Sequence, residues 1–192
     1  VGGNFMDILL SSKLQTDSVV DGEGIRSVIW TQGCPHKCKG CHNPETHEMS
    51  NGEMVSVTEL KKQLASAKNQ DGLTISGGEP FLQPDACADI AVYAKELGLN
   101  VWCYTGYTFE QLLIKSLKDE KIYNFLSTID VLIDGKFILE QKTFNLKFRG
   151  SKNQRIIDVK KSLEKREAIL IEKYLPEEPK LNLYTKEEWI FV

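Results

Sequence analysis

Short apolar segments that alternate with helices of about ten residues most constrain how this chain can fold. The segments with strand character are residues 26–32, 73–76, 99–105, 129–134 and 155–159. Between them, apolar residues recur at helical spacing, as at Leu60, Leu64 and Ala67. Strands that alternate with helices indicate βαβ units, whose strands run parallel in one sheet. We therefore predict the α/β class.

The length of the chain limits how far this sheet can close. Right-handed crossovers curl the sheet in one direction, but 192 residues fall short of the roughly 250 of a (β/α)₈ barrel. We expect a partial (open) parallel β/α barrel and a single domain over residues 1–192. We interpret residues 1–5, which precede the candidate initiator Met6, as an expression remnant, and residues from about 172 to 192 as a C-terminal extension.

Local signals predict where three of the helices begin or end. Ser56 is followed by Glu59, and Thr108 is followed by Gln111. This spacing is typical of a capping box, in which the two side chains bond each other's backbone N–H groups. Gly98 follows an apolar-periodic segment that begins near Pro84, as a C-capping glycine does.

The charge balance and hydropathy exclude several classes of protein. The chain has 24 Lys and Arg against 27 Asp and Glu, a net charge of -3, which argues against a mainly electrostatic nucleic-acid binder. Its apolar runs are far shorter than the roughly 18 residues of a membrane helix, and it has no secretory apolar region. We expect a soluble, cytoplasmic protein with neither nucleic acid nor membrane as a partner.

Chemically distinctive residues follow four of the predicted strands. These segments are the cysteine loop 34–41, Gly77-Gly78-Glu79, Tyr104-Thr105-Gly106 and Asp134-Gly135-Lys136. In parallel α/β folds, ligands bind at the carboxyl ends of the strands. The four segments therefore predict one binding site on one rim of the sheet.

Three of the five cysteines lie within eight positions. Cys34, Cys38 and Cys41 have the spacing C-x₃-C-x₂-C, which suits three corners of a [4Fe–4S] cluster and leaves one iron without a protein ligand. The alternative is a structural zinc site, with one of the histidines His36, His42 and His47 as the fourth ligand. The other two cysteines, Cys87 and Cys103, have apolar neighbours and are predicted to be buried core thiols.

These motifs resemble those of a known enzyme family. The C-x₃-C-x₂-C loop after a first strand is the signature of radical S-adenosylmethionine (SAM) enzymes, and residues 77–80 are similar to their GGEP motif. Residues 21–26 (DGEGIR) and 41–44 (CHNP) resemble the activases of glycyl-radical enzymes. Glu23 departs from the proline that is usual in those activases.

Three further stretches narrow the resemblance. Residues 104–108, 130–137 and 148–159 are most similar to the activating proteins of anaerobic ribonucleoside-triphosphate reductases. Together the matching segments span roughly residues 17–160. The segment beyond about Ile171 has no counterpart in the resemblance.

The resemblance implies a role for each matching residue. Cys34, Cys38 and Cys41 would bind the [4Fe–4S] cluster, and the methionine end of SAM would chelate its open iron. The residues implied in SAM binding are Gly77, Gly78 and Glu79 at the amino group, Gly40 and His42 near the adenine, and Asp134 and Lys136 close by. For Asp134, an ordinary capping role is the alternative.

The resemblance also implies a function and partners. Such an oxidoreductase cleaves SAM reductively to a 5′-deoxyadenosyl radical and generates a glycyl radical on anaerobic ribonucleoside-triphosphate reductase. A low-potential donor such as flavodoxin would supply the electron. The basic residues Lys147, Arg149, Lys152 and Arg155 would form either a docking surface for the partner or a solvated loop.

Three alternative functions stay open at this point. The chain could activate another glycyl-radical enzyme, such as a formate lyase. It could act on a small molecule, since residues 22–24 resemble the corresponding segment of deazaguanine synthases. A non-catalytic zinc-binding module is the third alternative.

Overall fold

The computed structural model describes residues 6–175. The eight strands of this part are β1 (Asp7–Leu10), β2 (Gln15–Ser18), β3 (Arg26–Thr31), β4 (Glu53–Ser56), β5 (Gly72–Gly77), β6 (Asn100–Tyr104), β7 (Val131–Asp134) and β8 (Arg155–Asp158). The α-helices are α1 (Val57–Ser66), α2 (Pro84–Glu96), α3 (Phe109–Ser116), α4 (Glu120–Thr128) and α5 (Val159–Lys165). The expectations for residues 1–5 and 176–192 lie outside the described residues.

All eight strands belong to one sheet, with the order β4-β1-β3-β5-β6-β7-β8 and with β2 also paired to β3. The four central strands, β3, β5, β6 and β7, are parallel. Within the described residues the end strands β4 and β8 do not pair with each other. The predicted partial, open parallel barrel is therefore confirmed.

The antiparallel edges of the sheet differ from the βα repeat that the sequence suggests. Strand β8 pairs antiparallel with β7, so the segment 155–159 is not a further parallel unit. Strands β1, β2 and β4 also join the sheet by antiparallel pairing. An antiparallel strand needs no crossover helix, so these edge strands extend the sheet without closing it.

The apolar pattern explains which elements form the centre of the molecule. Residues 72–76 of β5 are all buried, as expected of a parallel strand covered on both faces. The helices α1, α2 and α4 contribute Leu60, Ile90 and Phe125 to the main core. Cys87 and Cys103 are fully buried there, and burial raises the pKa of both thiols. The prediction that they are core thiols is confirmed.

The two predicted capping boxes have different outcomes. At α3, the Thr108 side chain accepts from the Gln111 backbone and the Gln111 side chain accepts from the Thr108 backbone, as predicted. At α1, Ser56 is the N-cap residue but makes no side-chain cap bond. Ser56 also pairs with Asp7 in the sheet, and the Val57 N–H donates to the Met6 carbonyl at 2.9 Å. The Met6 carbonyl therefore satisfies the first N–H of α1, and the Ser56 side chain does not form the predicted cap.

The start of the predicted C-terminal extension packs on the domain. The ring of Tyr174 meets Trp102 and Phe148 in edge-to-face geometry. The side chain of Glu23 accepts from the Tyr174 hydroxyl at 2.8 Å and from Lys173. Glu23, which departs from the family pattern, thus anchors this segment.

No helix among residues 6–175 is long and apolar enough to cross a membrane.

Candidate functional site

One cavity of about 110 Å³ lies at the carboxyl ends of the four parallel strands. Its walls combine the three clustered cysteines with Gly77 and Gly78, residues 104–106, and residues 135–137. The four segments that the sequence placed on one rim do meet there. The site therefore occupies the position expected of a ligand site in a parallel α/β fold.

The cysteine loop is held by main-chain bonds to the segment that follows it. The Gly33 N–H donates to the Thr46 carbonyl at 2.9 Å, and the Cys34 N–H donates to the His47 carbonyl at 3.4 Å. Gly40 has a φ of +72°, a backbone conformation that glycine adopts without strain. These loop contacts, rather than a helix or strand, place Cys34, Cys38 and Cys41 at the wall of the cavity.

Backbone N–H groups favour the thiolate form of two of the cysteines. The Asn43 N–H donates to the Cys41 sulfur at 3.4 Å, and the backbone at His36 and Lys37 acts to lower the pKa of the Cys34 thiol. Burial nevertheless raises the pKa of both thiols. Since only the thiolate is a metal ligand, the positive charge of bound iron would be needed to stabilise these sulfurs as ligands.

The two glycines at the end of β5, Gly77 and Gly78, allow strands β5 and β3 to end close together. A Cβ on Gly77 would lie 2.4 Å from the Thr31 nitrogen, and one on Gly78 would lie 2.2 Å from the Gly33 carbonyl oxygen. The Gly78 N–H donates to the Thr31 carbonyl at 2.7 Å. The glycines are thus required by the approach of this chain's own backbone, and they also line the cavity.

Glu79 lies behind the wall of the cavity. Its carboxylate is fully buried and accepts from the Thr105 hydroxyl at 2.8 Å, the Gly106 N–H at 2.9 Å and the Phe81 N–H at 3.1 Å. It also lies 2.8 Å from Nε2 of His36. Glu79 therefore joins the cysteine loop to the ends of β5 and β6, a role that the sequence did not reveal.

Asp134 has the arrangement of a structural cap. Its buried carboxylate accepts from the Phe109 N–H at 2.8 Å and from Arg155 Nε at 3.0 Å, and it does not line the cavity. Arg155 also pairs with Glu110 at 2.8 Å and lowers the pKa of that carboxyl to about 2. Lys136, the other residue of this segment that was predicted near SAM, is exposed and lines the cavity.

His42 lines a neighbouring cavity, whereas Gly40 lies against Leu139 and Phe137 and lines neither cavity. The His42 ring is 5.1 Å from that of Phe137, and His42 lines a space of about 310 Å³. Ser76 and Tyr104 line both this space and the cysteine cavity. The two cavities therefore adjoin, and together they extend beyond the three thiols.

The four basic residues of the candidate docking surface divide into two groups. Arg149 donates to the carbonyls of Gln154 and Tyr174, and Arg155 is paired with Asp134 and Glu110. These two arginines therefore help to maintain the fold. Lys147 and Lys152 line a surface groove.

The donor set of the cavity fits an iron–sulfur cluster. Three soft thiols line one cavity, as the thiolate ligation of such clusters requires. His47 also lines this cavity, and its buried Nε2 has no hydrogen-bond partner among residues 6–175. Over the same residues, no group of three or more His, Cys, Asp and Glu side chains is placed to hold a single metal ion.

The comparison with protein-family models agrees with this donor set. Residues 20–157 match the family described as "4Fe-4S single cluster domain". A solved structure of QueE from Escherichia coli has a TM-score of 0.44 and 16% identity, over 53% of this chain and 54% of that one.

Several curated relatives carry one name, anaerobic ribonucleoside-triphosphate reductase-activating protein. The relative from Enterobacteria phage T4 is 39% identical over 71% of this chain and 86% of its own length. The relative from Vibrio cholerae is 36% identical over 71% and 89%, respectively. The one from Escherichia coli K12 is 30% identical over 71% and 90%. The chain belongs to the family of 4Fe-4S single cluster proteins that includes these reductase-activating proteins.

Proposed function

We propose that this protein is a radical SAM activating enzyme that generates a glycyl radical on anaerobic ribonucleoside-triphosphate reductase. The observation that carries the proposal is the meeting of three thiols with the glycine-rich ends of β5, β6 and β7 in one cavity. The shared name of the relatives supports the choice of partner.

Most of the residues that would hold the cofactors line the two cavities. Cys34, Cys38 and Cys41 would ligate the [4Fe–4S] cluster, and Gly77 and Gly78 would present backbone to SAM. Lys136, Gly40 and His42 would complete its site. When bound, the reduced cluster supplies the electron that cleaves SAM to methionine and a 5′-deoxyadenosyl radical.

Glu79 and Asp134 would act on the site through their neighbours. Glu79 holds His36 and Gly106 in place, and so would keep the cysteine loop at a constant distance from the ends of β5 and β6. Asp134 links β7 to the start of α3, and so would position Gly135 and Lys136. Rigid support of this kind preserves the alignment that a short-lived reactive group requires.

The open barrel suits a macromolecular substrate, because the side of the sheet that does not close leaves room for a glycine-bearing loop. We propose that residues 1–192 act as a single domain of a cytoplasmic enzyme. A low-potential flavoprotein such as flavodoxin would be its electron donor.

The test is an anaerobic incubation of the reconstituted protein with the reductase, SAM and a chemical reductant. Electron paramagnetic resonance (EPR) should detect a glycyl radical on the reductase, and chromatography should detect 5′-deoxyadenosine. Neither product should form without SAM. Deoxyadenosine without a radical on any partner would contradict the assignment.

A panel of partners distinguishes the alternatives. A glycyl radical on a formate lyase, and none on the reductase, would identify an activase with a different partner. Turnover of a pterin-like molecule in the absence of any protein partner would identify a small-molecule enzyme. A colourless protein that holds one zinc ion would favour the binding module.

A further inference from the structure

His47 lies at the end of a 3₁₀ turn, Pro44–His47, directly after the cysteine loop. Its carbonyl accepts from the Cys34 N–H, and the Thr46 hydroxyl fastens the turn by donating to the Asn43 carbonyl at 2.7 Å. The backbone of His47 is therefore held against the first cysteine. His47 is one of the residues that line the cavity formed by the three cysteines.

The His47 ring differs from the other histidine of this cavity in its hydrogen bonding. Nε2 of His36 is 2.8 Å from the Glu79 carboxylate. Nε2 of His47 is buried, yet it has no partner among residues 6–175. A buried polar group without a partner destabilises the folded protein, so this nitrogen is expected to meet an acceptor when the site is occupied.

We propose that Nε2–H of His47 donates a hydrogen bond to a sulfur of the cluster held by Cys34, Cys38 and Cys41, and that it raises the reduction potential of the cluster. This inference rests on the proposed function. The acceptor is a thiolate or sulfide sulfur, because the His47 backbone is fastened to Cys34 itself. A donor at this position stabilises the reduced cluster, which carries one more negative charge, more than the oxidised one.

His47 is thus a positioning and tuning residue that does not ligate iron. A carboxylate oxygen of SAM is the other anionic acceptor that the same cavity could receive. The two sources differ experimentally, because a bond to sulfur changes the potential of the cluster in the absence of SAM. A bond to the SAM carboxylate changes only the affinity for SAM.

The test compares the full-length chain with two variants, each reconstituted anaerobically with iron and sulfide. His47→Phe keeps the ring volume and removes the donor, whereas His47→Gln keeps an N–H donor at nearly the same distance from the backbone. The measurements are iron per chain, the midpoint potential by EPR-monitored titration without SAM, and the dissociation constant of SAM.

In His47→Phe, the equilibrium constant for reduction should fall about tenfold, which for a one-electron couple lowers the midpoint potential by about 59 mV. In His47→Gln, the potential should stay near the wild-type value. Equal potentials in all three proteins would overturn the inference. A change confined to SAM affinity would also overturn it, in favour of a contact with SAM.

A spectroscopic measurement avoids dependence on the phenylalanine variant. In wild-type protein grown with ring-¹⁵N histidine, pulsed EPR of the reduced cluster should show a weak nitrogen coupling that disappears in His47→Gln. A nitrogen coupling that is unchanged in His47→Gln, or is missing from the wild type, would refute the bond. Failure of the wild-type chain to take up any cluster would instead refute the proposed function.

Discussion

The carboxyl ends of β3 and β7 lie on the same rim of the sheet, but the polar side chains at these two ends differ in their bonding partners. At β7, Asp134 is neutralised by this chain's own Arg155 and accepts the Phe109 N–H. At β3, the Asn43 N–H donates to the Cys41 sulfur, yet burial raises the pKa of the Cys34 and Cys41 thiols. A polar group whose hydrogen-bond and ion-pair partners belong to this chain therefore maintains the fold. A group that needs a cation from elsewhere marks the ligand site.

The largest expected effect is at the β3 end. Cys38→Ala should lose the cluster and all formation of deoxyadenosine, because two thiols are not enough to hold it. Cys103→Ala is the matched control, since Cys103 is fully buried in the core and should leave iron binding intact. Iron analysis and the visible spectrum measure both outcomes. A Cys38→Ala protein that is brown and active would contradict the assignment of the ligand site to the β3 end.

The next effect is at the β7 end and concerns stability. Asp134→Asn should lower the free energy of unfolding by about 2 kcal/mol, because it removes the charge that faces Arg155 inside the protein. Iron content should stay unchanged, since Asp134 does not line the cavity. Urea denaturation and iron analysis are the measurements. Loss of iron together with normal stability would place Asp134 in the ligand site.

The start of α3, next to Asp134, should be more sensitive to loss of its cap than the start of α1. Thr108→Ala should cost about 1 kcal/mol, since it breaks a complete capping box. Ser56→Ala should cost only a few tenths, because Ser56 makes no side-chain cap bond. Thermal and urea unfolding of the two variants provide the comparison, and equal losses would contradict it.

The smallest expected effect depends on pH. The pKa of Glu110 is lowered from 4.5 to about 2 by Arg155, so its contribution to stability is complete above pH 4.5 and decreases as the pH falls toward 2. Glu110 is half-exposed, so Glu110→Gln should cost only about 0.5 kcal/mol at pH 7. The difference from wild type should vanish near pH 2. A difference that is independent of pH would show that the ion pair is not its cause.

The sequence predicts the central strands and the cysteine loop well, because both signals are local. The apolar run of β5 and the spacing of Cys34, Cys38 and Cys41 need no knowledge of distant residues. Strand β2 was missed because its sequence, QTDS, is polar and largely exposed, so it carries no period-two pattern. The antiparallel pairing of β8 was missed because the direction of a strand is defined relative to the strand beside it, and the local sequence of β8 does not show that relation.

The roles of the carboxylates were harder to predict for a different reason. Glu79 bonds Thr105 and His36, which are 26 and 43 positions away in the chain. Asp134 meets Phe109 and Arg155 across similar separations. A motif identifies the residue type but not these partners, which decide whether a carboxylate faces a ligand or supports the wall behind it.

The most direct measurement is EPR of the reduced, reconstituted protein with and without SAM. We expect about four irons per chain and a signal that changes when SAM is added, because three cysteines leave one iron open to the ligand. A four-iron cluster whose signal ignores SAM, with a fourth protein side chain bound to it, would contradict this account of the β3 end.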